Sequence, residues 1–139
     1  MLLDVGVWLA AVWAGHVHHP RAAAWFDEQT GDLRLCRVTQ MGLLRLLSNP
    51  AVMGDDVLAR AGAWKVLDRL RADDRVQWAG EPAQVEQAWR AISAREDNSH
   101  KLWTDDYLAS FAQAAGLTLV TLDTGFAGRY GSINVTSLL

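Results

Sequence analysis

Short apolar runs alternate with helix-patterned stretches along this chain, and that alternation is the feature that most narrows its fold. Runs at 2–5, 33–36, 75–79, 117–122 and 133–135 read as strands, the first ending at Asp4 and the fourth at Asp123. Between them, 7–14 and 20–29 read as helices, the second with Pro20 at its first position, where a missing N–H costs nothing. Thr39 is placed to cap a helix running to residue 47, which Asn49-Pro50 stops. Asp55-Asp56 opens a helix to residue 71 with Val57, Ala61 and Trp64 on one face. In 82–95, Val85, Ala88, Trp89 and Ile92 recur at helical spacing. The last long helix spans 104–115, with Leu108, Phe111, Ala112 and Ala115 on one face and Gly116 as its stop. Strands separated by helices predict an α/β chain with a mostly parallel sheet covered on both faces. With no repeat, linker or low-complexity segment, residues 1–139 form one predicted domain.

In such sheets the functional crevice lies beyond the C-terminal ends of the strands. Asp4 and Asp123 each follow an apolar run and so fall at that edge. An ionised carboxylate close to a core needs a partner or a metal. A third acid comes from the start of the last long helix, where Asp105 and Asp106 compete. At 100° per residue, Asp105 lies about 60° from Leu108 and borders the apolar stripe, whereas Asp106 lies about 160° away and is expected to face water. Asp106 then serves only to complement the helix dipole. Converging carboxylates suit Mg²⁺ or Mn²⁺, not Zn²⁺. Such an ion activates water and steadies charge on a phosphate.

With these acids placed, the chain resembles the PIN-domain nucleases, and among them the VapC toxins of toxin–antitoxin pairs. Four motifs carry the resemblance, in order and almost end to end. They are Leu2-Leu3-Asp4-Val5-Gly6-Val7-Trp8-Leu9-Ala10, then Thr39-Gln40-Met41-Gly42-Leu43-Leu44-Arg45-Leu46-Leu47-Ser48-Asn49-Pro50. The third is Leu102-Trp103-Thr104-Asp105-Asp106-Tyr107-Leu108-Ala109, and the fourth Leu119-Val120-Thr121-Leu122-Asp123-Thr124-Gly125-Phe126. The resemblance implies a PIN-like three-layer α/β/α fold and a Mg²⁺-dependent endoribonuclease, held inactive by an antitoxin polypeptide and commonly dimeric. It places metal ligands at Asp4 and Asp105, with Asp123 close by. Two positions depart from the pattern. Many relatives carry a Glu where this chain has Gly42, and often Asn or Ser where it has Gly6. Thr39, three residues before Gly42 on the adjacent part of the same face, is the better candidate to replace the missing acid. Gln40 is directed toward the Leu43/Leu47 stripe.

The net charge is −3, and the three acids named above account for that much by themselves. The chain is therefore no strong electrostatic DNA binder, since that requires many basic contacts. An apolar start lacking basic residues and interrupted by Asp4 argues against a signal peptide, and no run is long enough to span a bilayer. The single Cys36 reads as a reduced core residue. A cytoplasmic location is expected. His16, His18 and His19 read as a solvated turn, since no second zinc-ligand group stands at the right spacing. His100 and Lys101 read as loop residues, and Arg45 as either a surface residue or a phosphate contact. Trp64 and Trp89 read as core, while Trp8, Trp13 and Trp25 line an apolar groove suited to a partner's amphipathic helix, or simply pack. Two other functions fit less closely. A decayed PIN-like binding module would explain Gly42. An aspartyl phosphatase would want a second acid just behind its nucleophile, where this chain has Val5 and Gly6.

Overall fold

Five parallel strands form the central sheet of the computed structural model, which describes residues 1–139. They are β1 (Leu2–Leu3), β2 (Leu33–Leu35), β3 (Val76–Trp78), β4 (Leu119–Thr121) and β5 (Val135–Ser137), in the order β3-β2-β1-β4-β5. Every ladder is parallel. The chain winds outward from β1 through β2 to β3, then returns to lay β4 on the other side of β1. The direction of winding thus reverses between β1 and β4, which makes the C-terminal ends of these two strands the topological switch point.

Side-chain alternation in β1 assigns the two faces. Leu3 packs into one core with Val7, Trp8, Leu43 and Leu67, and Leu2 into a second with Leu108, Phe111 and Phe126. Helices α1 (Val5–Val12), α3 (Arg37–Leu47) and α5 (Arg60–Arg71) supply the first layer, and α6 (Val85–Ser93), α7 (Trp103–Ala115) and α8 (Phe126–Arg129) the second. Helix α2 (His19–Glu28) packs on α1, and the short α4 (Pro50–Met53) follows α3. This is the expected three-layer α/β/α arrangement.

Local differences from the sequence reading have identifiable causes. The α3 helix begins at Arg37 because Cys36, not Thr39, is its N-cap. Thr39 sits one turn in, its Oγ1 accepting from the Cys36 N–H at 3.1 Å and donating to the Cys36 carbonyl at 3.0 Å. Asp55 and Asp56 lie in a 3-10 turn (Gly54–Asp56), and α5 starts later. Asp56 instead accepts a hydrogen bond from Trp13 Nε1 at 2.8 Å. The phase of α5 differs accordingly: Ala63, Leu67 and Leu70 are buried, while Trp64 is 49% exposed and Val57 and Ala61 face out. Trp8 is wholly buried, edge-on to Phe26, and so lines no groove; Trp13 and Trp25 are half-buried beside it. Cys36 is buried and free, as expected. The three histidines are more enclosed than a solvated turn would leave them. His16 Nδ1 accepts from the His18 N–H, and the His19 ring meets the Ala10 carbonyl at 2.7 Å. Gly116 ends α7 at φ +65°, a left-handed conformation that glycine adopts without strain. No helix is long and apolar enough to cross a membrane.

Candidate active site at the sheet switch point

Asp4 stands between β1 and α1 and belongs to both. Its N–H donates to the Val120 carbonyl of β4 at 2.9 Å, which fixes the backbone at the switch point. Its Oδ1 accepts from the Val5 N–H at 2.6 Å, capping α1, and its Oδ2 accepts from Thr121 Oγ1 at 3.1 Å. One carboxylate is thereby locked by the ends of two neighbouring strands. Burial raises its pKa more than these hydrogen bonds lower it, and the charge of Asp123 adds to the rise.

Asp105 projects from the first turn of α7. Its pKa is also raised, by burial first and then by the Asp4 charge, with Arg129 opposing. Asp4 and Asp105 line one cleft of about 710 Å³, together with Thr39, Gly42 and Arg45 from α3. Asp123 is more exposed and turned to the side. Its Oδ1 accepts from the Gly125 N–H at 2.8 Å and its Oδ2 from Arg129 Nη2 at 2.5 Å. Those two donors hold its pKa below the usual carboxylate value. The same Arg129 nitrogen reaches Asp105 at 3.1 Å, so the guanidinium bridges the two carboxylates.

Arg129 is a site residue that the sequence reading did not single out. It lies six residues past Asp123 on a one-turn helix, and no apolar periodicity marks so short an element. Asp106, expected to face water, is half-buried and accepts from Tyr130 Oη at 2.5 Å. A helical wheel records only the helix's own stripe, and here α8 folds back over the side assigned to solvent. His100 and Lys101 are exposed and line neither this cleft nor the pocket beside it.

The donor set can be tested against a divalent cation. No three acidic, histidine or cysteine side chains converge closely enough to cage an ion. Two carboxylates sharing an open cleft are nevertheless what Mg²⁺ uses, since it keeps several waters and takes one or two protein acids. Each of the pair holds its proton more tightly than usual partly because anionic charge gathers there, and a cation relieves that repulsion. Asp4 and Asp105 fit. Thr39 is poorly placed to replace the missing acid: it is buried, and its Oγ1 already accepts from the Cys36 N–H while donating to the Cys36 carbonyl. A Cβ on Gly42 would meet Val5 Cγ2 at 3.0 Å. A side chain there requires Val5 to yield by a few tenths of an ångström, so glycine at 42 and valine at 5 are matched.

Residues 1–131 match the PIN domain family. The chain belongs to that family, on its VapC branch. It is 42% identical to Ribonuclease VapC41 of Mycobacterium tuberculosis over 99% of this chain and 98% of that one. Ribonuclease VapC38 of the same organism is 30% identical, over 89% and 85%. Among solved structures, M. tuberculosis VapC20, a sarcin-ricin loop cleaving toxin, superposes with a TM-score of 0.69 at 17% identity, covering 91% of this chain and 92% of that one. VapBC2 from Rickettsia felis, bound to a DNA fragment from their promoter, also gives 0.69, at 12% identity over 98% and 96%. These two likenesses concern the fold.

The charge of Asp4 has a consequence for stability. Its pKa is raised on folding, so above the ordinary carboxylate value of 3.8 the folded state holds more protons than the unfolded one, and stability falls as pH rises through that window. Asp4→Asn keeps an oxygen for the Val5 N–H and removes the buried charge. In metal-free protein this variant is expected to melt at a higher temperature than wild type at pH 7, with the gap closing as pH approaches 4. Thermal melts across that range check the sign; a variant that melts lower at pH 7 would show that the capping role dominates.

Proposed function

We propose that the protein is a Mg²⁺-dependent endoribonuclease, the toxin of a toxin–antitoxin pair. The observation that carries this reading is the meeting of Asp4 and Asp105 in one cleft at the sheet switch point. The VapC relatives, named ribonucleases, supply the substrate class. Asp4 and Asp105 would hold the cation, with Mn²⁺ as a substitute. A bound divalent ion supplies water of lowered pKa and positive charge for the phosphate oxygens.

The chain's own residues do the rest. The Val5 N–H and Thr121 fix the Asp4 carboxylate, so it cannot rotate away from the cleft. Arg129 sets the orientation of Asp105 and Asp123 and leaves a fixed positive charge at the edge of the cleft. Asp123, with its lowered pKa, stays ionised and keeps Arg129 in place. The inhibitory partner is an antitoxin polypeptide, a reading supported by the likeness to the VapBC2 structure, and a homodimer is the assembly we expect.

The deciding experiment incubates the purified protein with total cellular RNA and Mg²⁺, then maps new RNA ends. Discrete cleavage sites are the expected result. Intact RNA at stoichiometric protein would overturn the enzyme reading and leave a PIN-like binding module, of which Gly42 would then be the mark.

A further inference from the structure

A second pocket of about 420 Å³ adjoins the acid site, and Arg129 connects the two: its guanidinium lines this pocket while bonding to Asp105. That volume falls within the range of small-ligand pockets, about 300–1,000 Å³. Trp103 also lines it, the first residue of α7 and 54% exposed, an unusual position for so large an apolar surface. Trp103 is braced nonetheless. Trp89 meets its ring edge-on at 6.0 Å and donates from Nε1 to its carbonyl at 3.2 Å. Trp89 is itself edge-on to Tyr107, whose hydroxyl is tied to Glu81 at 2.6 Å. Arg95, also lining the pocket, spends its Nε on the Ile92 carbonyl and takes part in no ion pair.

A braced, exposed indole, two guanidinium groups and continuity with the proposed cleavage centre form a recognisable set, although Asp97 and Asp106 line the same pocket, Asp106 accepting from Tyr130, and Arg129 is shared with Asp105 and Asp123. Unpaired RNA bases stack on aromatic side chains, while arginines hold the backbone between them. We propose that this pocket holds one nucleotide of single-stranded RNA next to the scissile phosphate, its base on Trp103 and its backbone phosphate between Arg95 and Arg129. The assignment rests on the endoribonuclease reading and adds the position at which the strand is gripped. The strand then passes Arg129 on leaving the acid cleft, and a paired region, whose bases cannot reach Trp103, is excluded there.

The test uses a synthetic single-stranded oligoribonucleotide spanning a site that the wild-type protein cuts in total RNA. In single-turnover cleavage, W103A should raise the half-saturating protein concentration about ten-fold, the loss expected for one stacked base, with little change in the maximal rate. W103F should recover most of it. Replacing one nucleotide beside the cleavage point by an abasic one should weaken wild type and leave W103A unaffected. Melting curves confirm that each variant is folded. If wild type cleaves and W103A has the same half-saturation, the pocket is not a base subsite and the endoribonuclease reading survives; Trp103 weakening only a protein partner's binding falls under that outcome. If wild type cleaves no RNA, both readings fall.

Discussion

Asp105→Asn should eliminate RNA cleavage, while Asp106→Asn should leave most of it. The two changes are chemically identical and one residue apart, near the same helix start, so a general effect of lost charge would touch both alike. Their surroundings differ. Asp105 shares the acid cleft with Asp4, whereas Asp106 is turned to Tyr130 and lines the neighbouring pocket. On the proposed function, removing one of the two carboxylates that would hold the metal forfeits several kcal/mol of transition-state stabilisation, a rate loss on the order of a thousandfold or more. Asparagine at 106 retains an oxygen to accept from the Tyr130 hydroxyl, so its cost is the charged character of one hydrogen bond, about 0.5–1.5 kcal/mol of stability. Single-turnover rates at saturating Mg²⁺ decide between them. A dead Asp106→Asn with an active Asp105→Asn would move the site to the Tyr130 side of α7.

That comparison also shows which parts of the site could be read from the chain. Asp4 was legible because it interrupts an apolar strand, and Asp105 because it borders the stripe of its own helix; both signals are local. The partner of Asp106 is 24 residues away, just past a helix too short to announce itself, so no local pattern predicts the Tyr130 contact. Arg129 was hidden for the same reason. The sheet was legible because parallel strands buried on both faces read as apolar runs, yet β5 lies at Val135–Ser137, not at 133–135. Its register is set by pairing with β4, which a sequence does not display. The phase of α5 was misread because Asp55-Asp56 resembles a helix start. Asp56 is engaged by Trp13, just past the first helix and 43 residues earlier, and the true stripe begins at Ala63. Trp8 and Trp64 show how little aromatic character says about exposure: the first, open between a groove and the core, is buried, and the second, expected in the core, is half out.

Stripping divalent metal should abolish cleavage, and Mg²⁺ or Mn²⁺ alone should restore it. Apart from Asp105, which the proposed function assigns to the metal, no side chain in or beside the cleft is equipped to activate water unaided. Asp4 is committed to the Val5 N–H and Thr121, and Asp123 is held at lowered pKa by Arg129 and the Gly125 N–H. Burial and a neighbouring carboxylate push the Tyr107 and Tyr130 phenols further from ionisation, and Cys36 is buried. Histidine, the usual base at neutral pH, is missing from the cleft lining. Binding has its own readout, independent of turnover. A ligand that binds only the folded state stabilises it by RT ln(1 + [L]/Kd), about 2.7 kcal/mol at a hundredfold excess over Kd. Mg²⁺ should therefore raise the melting temperature of wild type, the more so because it relieves the repulsion that burdens Asp4 and Asp105 in the metal-free protein. In Asp4→Asn, already relieved of that charge, the metal-free protein should melt higher and the Mg²⁺ increment should largely vanish. Full activity in chelator, or an equal Mg²⁺ increment in Asp4→Asn and wild type, would remove Asp4 and Asp105 as the metal pair.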